Sequence, residues 1–345
     1  MQHPRLYVGL IGFSAQQRAN VASFLAANAA EISSANEAAY GAGPATQYPV
    51  WQICDFREAN ALLVLAPYAQ SGQLQITPTS QDPSPLGVDL SQLSVPFAVQ
   101  WTTAAPHMQS DANQLRTFNM DDPDSMLKTL QYFEAMLRPL RTIFAISAHM
   151  IERRAEIDNK HVYHLVRNNM LDCILDIAEH QVMVRDGLRP VDLDDAAWLS
   201  RPLSANSLPQ GFSVWSLEEV AWIYALHCPN IVLPKRYMQA PIYFRRLPHV
   251  RSGMIYRRHA NLLEILGCAA LTYDQLCEES DIDVENLERD LNGLYLCRAI
   301  TTRSQKSAIE ADGETSDSNL FSRSTRSGGD SSNTFKLETM PGHLM

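Results

Sequence analysis

Between Glu219 and Glu264 the chain carries no acidic residue, while Lys235, Arg236, Arg245, Arg246, Arg251, Arg257 and Arg258 supply seven positive charges. The 345 residues together have a formal charge of -10, so this window is a local anomaly. Guanidinium groups present a planar fork of donors that matches phosphate oxygens. Tyr237, Tyr243, Phe244 and Tyr256 interleave with them and could stack on a base. The chemistry this pattern points to is recognition of a phosphorylated ligand, and a compact nucleotide such as a cyclic dinucleotide fits it well. A protein partner is a second use. Closure on the chain's own acids is a third, because Asp274, Glu278, Glu279, Asp281, Asp283, Glu285, Glu288 and Asp290 follow shortly with Arg289 as the lone cation among them.

Other groupings lead away from catalysis. His161 and His164 could share a metal only on a helix, since a spacing of three on a strand sends the two rings to opposite faces, and VYHLV reads as a strand. Asp192, Asp194 and Asp195 read as a solvated turn. There is no glycine-rich phosphate loop, nucleophile elbow or zinc-protease helix, so no reaction, cofactor or metal is expected. The six cysteines contain no C-x-x-C pair and read as small buried hydrophobes of a reducing compartment. The apolar run at 6–13 is short and wrongly flanked for a secretory signal, and no later stretch approaches the roughly 18 apolar residues of a membrane span. A cytoplasmic protein with no membrane partner is expected. A pI near 5.5 argues against non-specific coating of nucleic acid.

The elements that must carry the window are legible from periodicity. LYVGLIG, YPVWQIC, ALLVLAPY and VPFAVQWT read as short, largely buried strands. Ser14 caps a helix with Val21, Phe24 and Leu25 on one face. Segments 33–48 and 70–92 read as polar, Pro/Gly-punctuated connections. Asp122-Pro123 opens a long helix with a heptad-like stripe from Met126 through Leu130, Phe133, Leu137, Leu140 and Phe144 to Ile151. Pro139 predicts a kink near 135–139. That stripe packs either inside the chain or on a second copy, which would make a homodimer. VYHLV, MLDCILDI and HQVMVR predict a small antiparallel sheet over about 161–210, and Ser216 with Glu219 forms a capping box ahead of EVAWIYALH. Three short helices between 256 and 297, then RAITT, follow the order of a winged helix-turn-helix.

The strand–helix order of residues 5–155 resembles the receiver domain of bacterial response regulators. That resemblance implies two acids after the first strand, an aspartate after the third as phosphoacceptor, and a lysine before the last-strand proline. Here Gly12-Phe13-Ser14-Ala15 and Ala66-Pro67-Tyr68 stand at the first two places and Met120-Asp121-Asp122-Pro123 at the third, although a hydroxyl survives as Thr102 or Thr103. The resemblance is thus to a degenerate receiver that phosphotransfer cannot switch. The later segments resemble the accessory and winged-helix regions appended to such receivers in bacterial regulators of motility and pili.

The expected architecture is α/β plus α+β: a receiver-like domain (1–121), a connecting helix (122–157), a small α+β module (158–255), a winged-helix-like domain (256–303) and a disordered tail (304–345). The expected function is a non-enzymatic signalling adaptor that binds protein partners, with a phosphorylated small molecule held by the arginine window. The alternative is a transcriptional regulator that binds DNA through the winged helix, disfavoured because the acids of its third helix would meet the phosphates of the groove.

Overall fold

The computed structural model describes residues 4–29, 32, 49–66, 73–76, 86–89, 95–101 and 116–304. The loop expected at 33–48, the hydroxyls of Thr102 and Thr103 and nearly all of the tail lie outside the described residues. Within them the chain is mixed α/β, with a four-stranded parallel sheet, a five-stranded antiparallel sheet and eight α-helices.

The first half opens with β1 (Arg5–Ile11), α1 (Ala15–Ala27), β2 (Val50–Cys54) and β3 (Ala61–Ala66). A short antiparallel hairpin, β4 (Gln73–Ile76) and β5 (Leu86–Asp89), precedes β6 (Phe97–Trp101). That hairpin falls inside the stretch read from sequence as a plain connection, because two four-residue strands are too short to announce themselves by alternation. The parallel sheet runs in the order β2-β1-β3-β6, and a parallel bridge from Val99 to Thr117 extends its far edge. Gly12, just after β1, has φ +80°, and a Cβ there would lie 2.1 Å from the Leu65 carbonyl oxygen, so only glycine fits.

Alternation in β1 divides its side chains. Leu6, Val8 and Leu10 pack with Val21 and Leu25 of α1 and with Met126, Leu130 and Phe133 of α2 (Pro123–Met136). Tyr7 points to the other face. No helix connects β2 to β3, where only a 3₁₀ turn at Phe56–Glu58 intervenes. That face is met instead by the carboxyl-terminal half of the chain.

The long helix of the sequence reading is two helices. α2 ends at Leu137 (φ -87°, ψ 7°), and α3 (Arg138–Glu152) restarts with Pro139 in its first turn, where the missing amide has no partner to lose. The break separates two jobs: the stripe on α2 serves the parallel-sheet core, whereas Phe144, Ile146 and Met150 enter a second, larger core. Both halves are thereby buried within the chain.

The second core is built on β7 (His161–Arg167), β8 (Met170–Asp176), β9 (Gln181–Arg185), β10 (Ala197–Pro202) and β11 (Phe212–Ser216), in the order β10-β7-β8-β9-β11. Asn168 and Asn169, both with positive φ, make the two-residue turn between β7 and β8. Against the sheet lie α3 and α4 (Leu217–His227); Ser216 and Glu219 form the expected capping box of α4. α5 (Arg236–Gln239) and β12 (Tyr243–Phe244) lead to α6 (Arg257–Cys268), α7 (Tyr273–Glu279) and α8 (Val284–Leu296), capped by Thr272 before α7 and Asp283 before α8. β13 (Ile300–Thr301) then pairs antiparallel with β12. One apolar cluster runs continuously from Ile143 to Ile300, so the small sheet and the three terminal helices share a core. Trp222 of α4, fully buried, is its anchor, and Gly293 lets α8 approach, since a Cβ there would sit 3.0 Å from the indole.

Candidate functional site

The seven cations of the acid-free window do not converge on one opening. Arg246 is clasped by Glu218, at 2.7 and 3.2 Å, and donates to the Cys297 carbonyl at 2.8 Å. Arg251 donates to Glu219 at 2.6 Å and lies over the Trp215 ring. Arg258 forms a two-pronged pair with Asp290 (2.7 and 3.1 Å) and reaches Glu58 as well. The two carboxylates that bound the window on its amino side therefore turn back into it. Asp290 of the terminal helices pairs with a window cation, Arg258. Lys235 and Arg236 lie exposed on and before α5, Arg236 over the Tyr237 ring; Arg257 is exposed at the start of α6, and half-buried Arg245 follows β12. The roles divide accordingly: Arg246→Ala is expected to cost about 1.5–3 kcal/mol, the range of a hydrogen bond to a charged group, while exposed Arg257→Ala stays within about 0.5 kcal/mol, as a surface change does. Urea unfolding of the two variants checks this.

A cleft of about 320 Å³ opens where the parallel sheet meets α4, α6 and α8. Tyr7, Gln52 and Cys54 line it from the sheet, Asp55 and Glu58 from the turn after β2, and His227, Tyr256, Arg258, Asp283, Glu285 and Arg289 from the carboxyl-terminal half. Three contacts sew the walls together: the Tyr7 hydroxyl donates to the Leu226 carbonyl (3.2 Å), His227 Nδ1–H donates to the Arg5 carbonyl (2.6 Å), and Arg5 pairs with Glu285. The Arg289 guanidinium sits over the Tyr7 ring, 5.2 Å from its centre, and pairs with Glu285 at 3.1 Å.

Behind the cleft His259 and Asp290 are both fully buried. The Tyr256 amide donates to His259 Nδ1 at 3.0 Å, which fixes the proton on Nε2, and Nε2–H donates to Asp290 at 2.9 Å. Arg258 completes the charge balance of Asp290 and ties it to Glu58 across the cleft.

Burial holds three titratable groups here in their neutral forms. Burial, and then Asp55, pushes the Cys54 thiol up to about 12, so it is no nucleophile near neutrality. Burial likewise pushes Tyr256 to about 12 and keeps it a neutral donor. Burial lowers His227 from 6.5 to about 4. The unfolded chain therefore takes up this proton before the folded one does, and the His227 contribution to stability is complete above pH 6.5 and shrinks as the pH falls toward 4. His227→Gln is expected to flatten the fall in melting temperature across that interval relative to the parent chain.

At the carboxyl end of β1, Phe13 and Phe118 lie with nearly parallel rings, centroids 6.4 Å apart, and Arg18 donates to the Leu10 carbonyl at 3.0 Å. Ser14 is spent in the capping box of α1, its hydroxyl accepting from Gln17.

Among the remaining sequence candidates, His161 and His164 stand on β7 on opposite faces, His161 against Asp158 (3.0 Å) and His164 on the Ala205 carbonyl (2.8 Å). Asp192 departs from its expected solvated turn. It is buried between Arg189 (2.6 Å) and Arg167 (3.2 Å), and although burial opposes ionisation, the Arg189 hydrogen bonds hold its carboxyl below the ordinary range. Arg167 and Arg185 continue that chain onto buried Asp172. Tyr7, Cys54 and His227 carry no sequence signal of a site, and Arg289 stands out only as the lone cation among the late acids; each becomes a cleft residue through contact between segments some 200 residues apart, which leaves no local signal.

Among the described residues no helix is long and apolar enough to cross a membrane. No protein-family model, curated protein or solved structure matches the chain.

Proposed function

We propose that this chain is a non-enzymatic, cytoplasmic regulatory adaptor of the bacterial signalling kind, whose receiver-like unit cannot take a phosphoryl group and which acts through protein contacts. The observation that supports this reading is the carboxyl end of β1, where Gly12-Phe13-Ser14-Ala15 carries no acid, Phe13 stacks on Phe118 and Ser14 caps α1, so no carboxylate there would hold Mg²⁺. The β2-β1-β3-β6 order, with the bridge to Thr117 beyond it, supports the receiver-like assignment, since it follows one of the two common doubly wound arrangements.

The DNA-binding alternative draws less support. The third helix of the winged-helix-like unit would have to enter a groove, yet α8 buries Leu287, Asp290, Leu291, Gly293, Leu294 and Leu296 within the chain and carries Glu285 and Glu288 besides. A nucleotide at the arginine window also loses support, because Arg246, Arg251 and Arg258 already have carboxylate partners.

Incubation with a small-molecule phosphodonor and Mg²⁺, followed by intact mass measurement, is expected to leave the mass unchanged. A stoichiometric phosphoryl adduct within residues 1–121 would overturn the reading. Titration with duplex DNA at low and moderate salt is the companion test, and tight binding with a steep salt slope would replace the adaptor with the transcriptional regulator.

A further inference from the structure

β1 and β2 pair in parallel with Tyr7 opposite Gln52 and Gly9 opposite Cys54. By strand alternation Tyr7, Gln52 and Cys54 therefore share one face of the sheet, and all three line the 320 Å³ cleft. Tyr256, the residue before α6, lines it from the carboxyl-terminal half, its ring lying on that of His259 with centres 5.2 Å apart and planes 24° from parallel.

The charged groups of the cleft are already occupied by one another. Glu58 pairs with Arg258, and Glu285 is shared by Arg5 and Arg289. Asp55 accepts from the Arg57 amide at 2.8 Å, and Asp283 accepts from the Asn286 amide at 3.0 Å as the cap of α8. A charged ligand would have to displace these bonds, and a phosphate would also meet four carboxylates against the two guanidinium groups of Arg258 and Arg289. Two neutral groups of the lining are uncommitted. The Gln52 amide and the Tyr256 hydroxyl make no hydrogen bond to any described residue, and neither is sealed from solvent. A few polar groups of this kind on an otherwise satisfied wall are what orient a small ligand.

We propose that the cleft binds a neutral purine of the adenine type, as the base or its nucleoside, with the Gln52 amide and the Tyr256 hydroxyl reading its nitrogens. Such a ligand goes beyond the adaptor reading and does not depend on it. A primary amide sets a donor beside an acceptor, and adenine returns the complement on one edge, its exocyclic amine beside a ring nitrogen. A second ring nitrogen accepts from the Tyr256 hydroxyl. Two donors and one acceptor on the protein thus meet two acceptors and one donor on the base. The rings of Tyr7 and Tyr256 among the walls suit a flat heterocycle. A volume of 320 Å³ lies at the small end of ligand sites, which span about 300–1,000 Å³, and admits one nucleoside more readily than a dinucleotide.

The test is calorimetry on the full chain with four probes: adenine, adenosine, adenosine 5′-monophosphate and purine, which lacks the exocyclic amine. Adenine and adenosine are both expected to bind, the tighter of the two being the form the cleft is built for. The monophosphate is expected to bind at least tenfold more weakly than adenosine, and purine at least tenfold more weakly than adenine. Gln52→Leu should weaken adenine at least tenfold and abolish its advantage over purine, and Tyr256→Phe should weaken both probes alike. The melting temperatures of the two variants, expected to match that of the parent chain, separate lost recognition from lost folding. Absence of binding by adenine and adenosine, a monophosphate that binds as tightly as the nucleoside, or unchanged affinity in both folded variants would each overturn the proposal. None of these outcomes touches the adaptor reading, which the phosphodonor and DNA measurements decide.

Discussion

Asp290→Ala is expected to destabilise the fold by about 3–5 kcal/mol, the cost of breaking a buried ion pair by removing one partner. The carboxylate is fully buried and serves Arg258 and His259 at once. Its loss leaves the Arg258 guanidinium, only 14% exposed, with Glu58 as its remaining partner, and strips His259 Nε2–H of its acceptor. Glu58 softens the first effect, and nothing among the described contacts replaces the second. Urea unfolding followed by tryptophan fluorescence is the measurement, with Trp222 reporting directly because its ring packs edge-on against His259. Asp283→Ala is the control: it removes only the cap of α8, worth about 1 kcal/mol. A loss of under 1 kcal/mol for Asp290→Ala would mean that the buried network contributes nothing beyond geometry.

Leu130→Asp is expected to be at least as damaging. Leu130 is fully buried in the parallel-sheet core, on the stripe of α2 for which a dimer seam was the alternative. Losing the leucine costs about 2–5 kcal/mol, and an unpartnered buried carboxyl adds about 1–3 kcal/mol. Circular dichroism and melting temperature should show the amino-terminal half unfolding. The milder Leu130→Ala separates the two readings of the stripe: it should lower the melting temperature and leave the native mass in solution unchanged. A variant that kept its melting temperature but changed its mass would put the stripe on the surface, between copies.

How far the sequence could be read depends on the range of the forces involved. Ser14, Asp122 and Ser216 could be assigned as caps or helix starts because a cap satisfies amides within three residues of itself. The strands at 61–66 and 161–185 declared themselves by apolar runs and alternation. Pro139 located an interruption of the long helix correctly, but whether it bent one helix or separated two depended on which core each half would join. The hairpin at 73–76 and 86–89 was missed because its strands are too short for a pattern.

The charge window marks the boundary most clearly. Its composition was visible, and its neutralisation was anticipated as one outcome, with the acids of α7 and α8 as the expected partners. The principal partners proved to be Glu218 and Glu219, which the turn of the chain between β11 and α4 brings back onto Arg246 and Arg251, together with Asp290 and Glu58 on Arg258. The cleft lay beyond reach altogether. Tyr7 and Leu226 meet only because the β2–β3 connection lacks a helix, leaving a sheet face that another part of the chain must cover. By itself the sequence determined the local elements, their caps and the absence of receiver acids, because those follow from short-range hydrogen bonding and side-chain type. The tertiary structure alone decided which charges pair and where a cleft forms, because these depend on the packing of segments far apart in the chain.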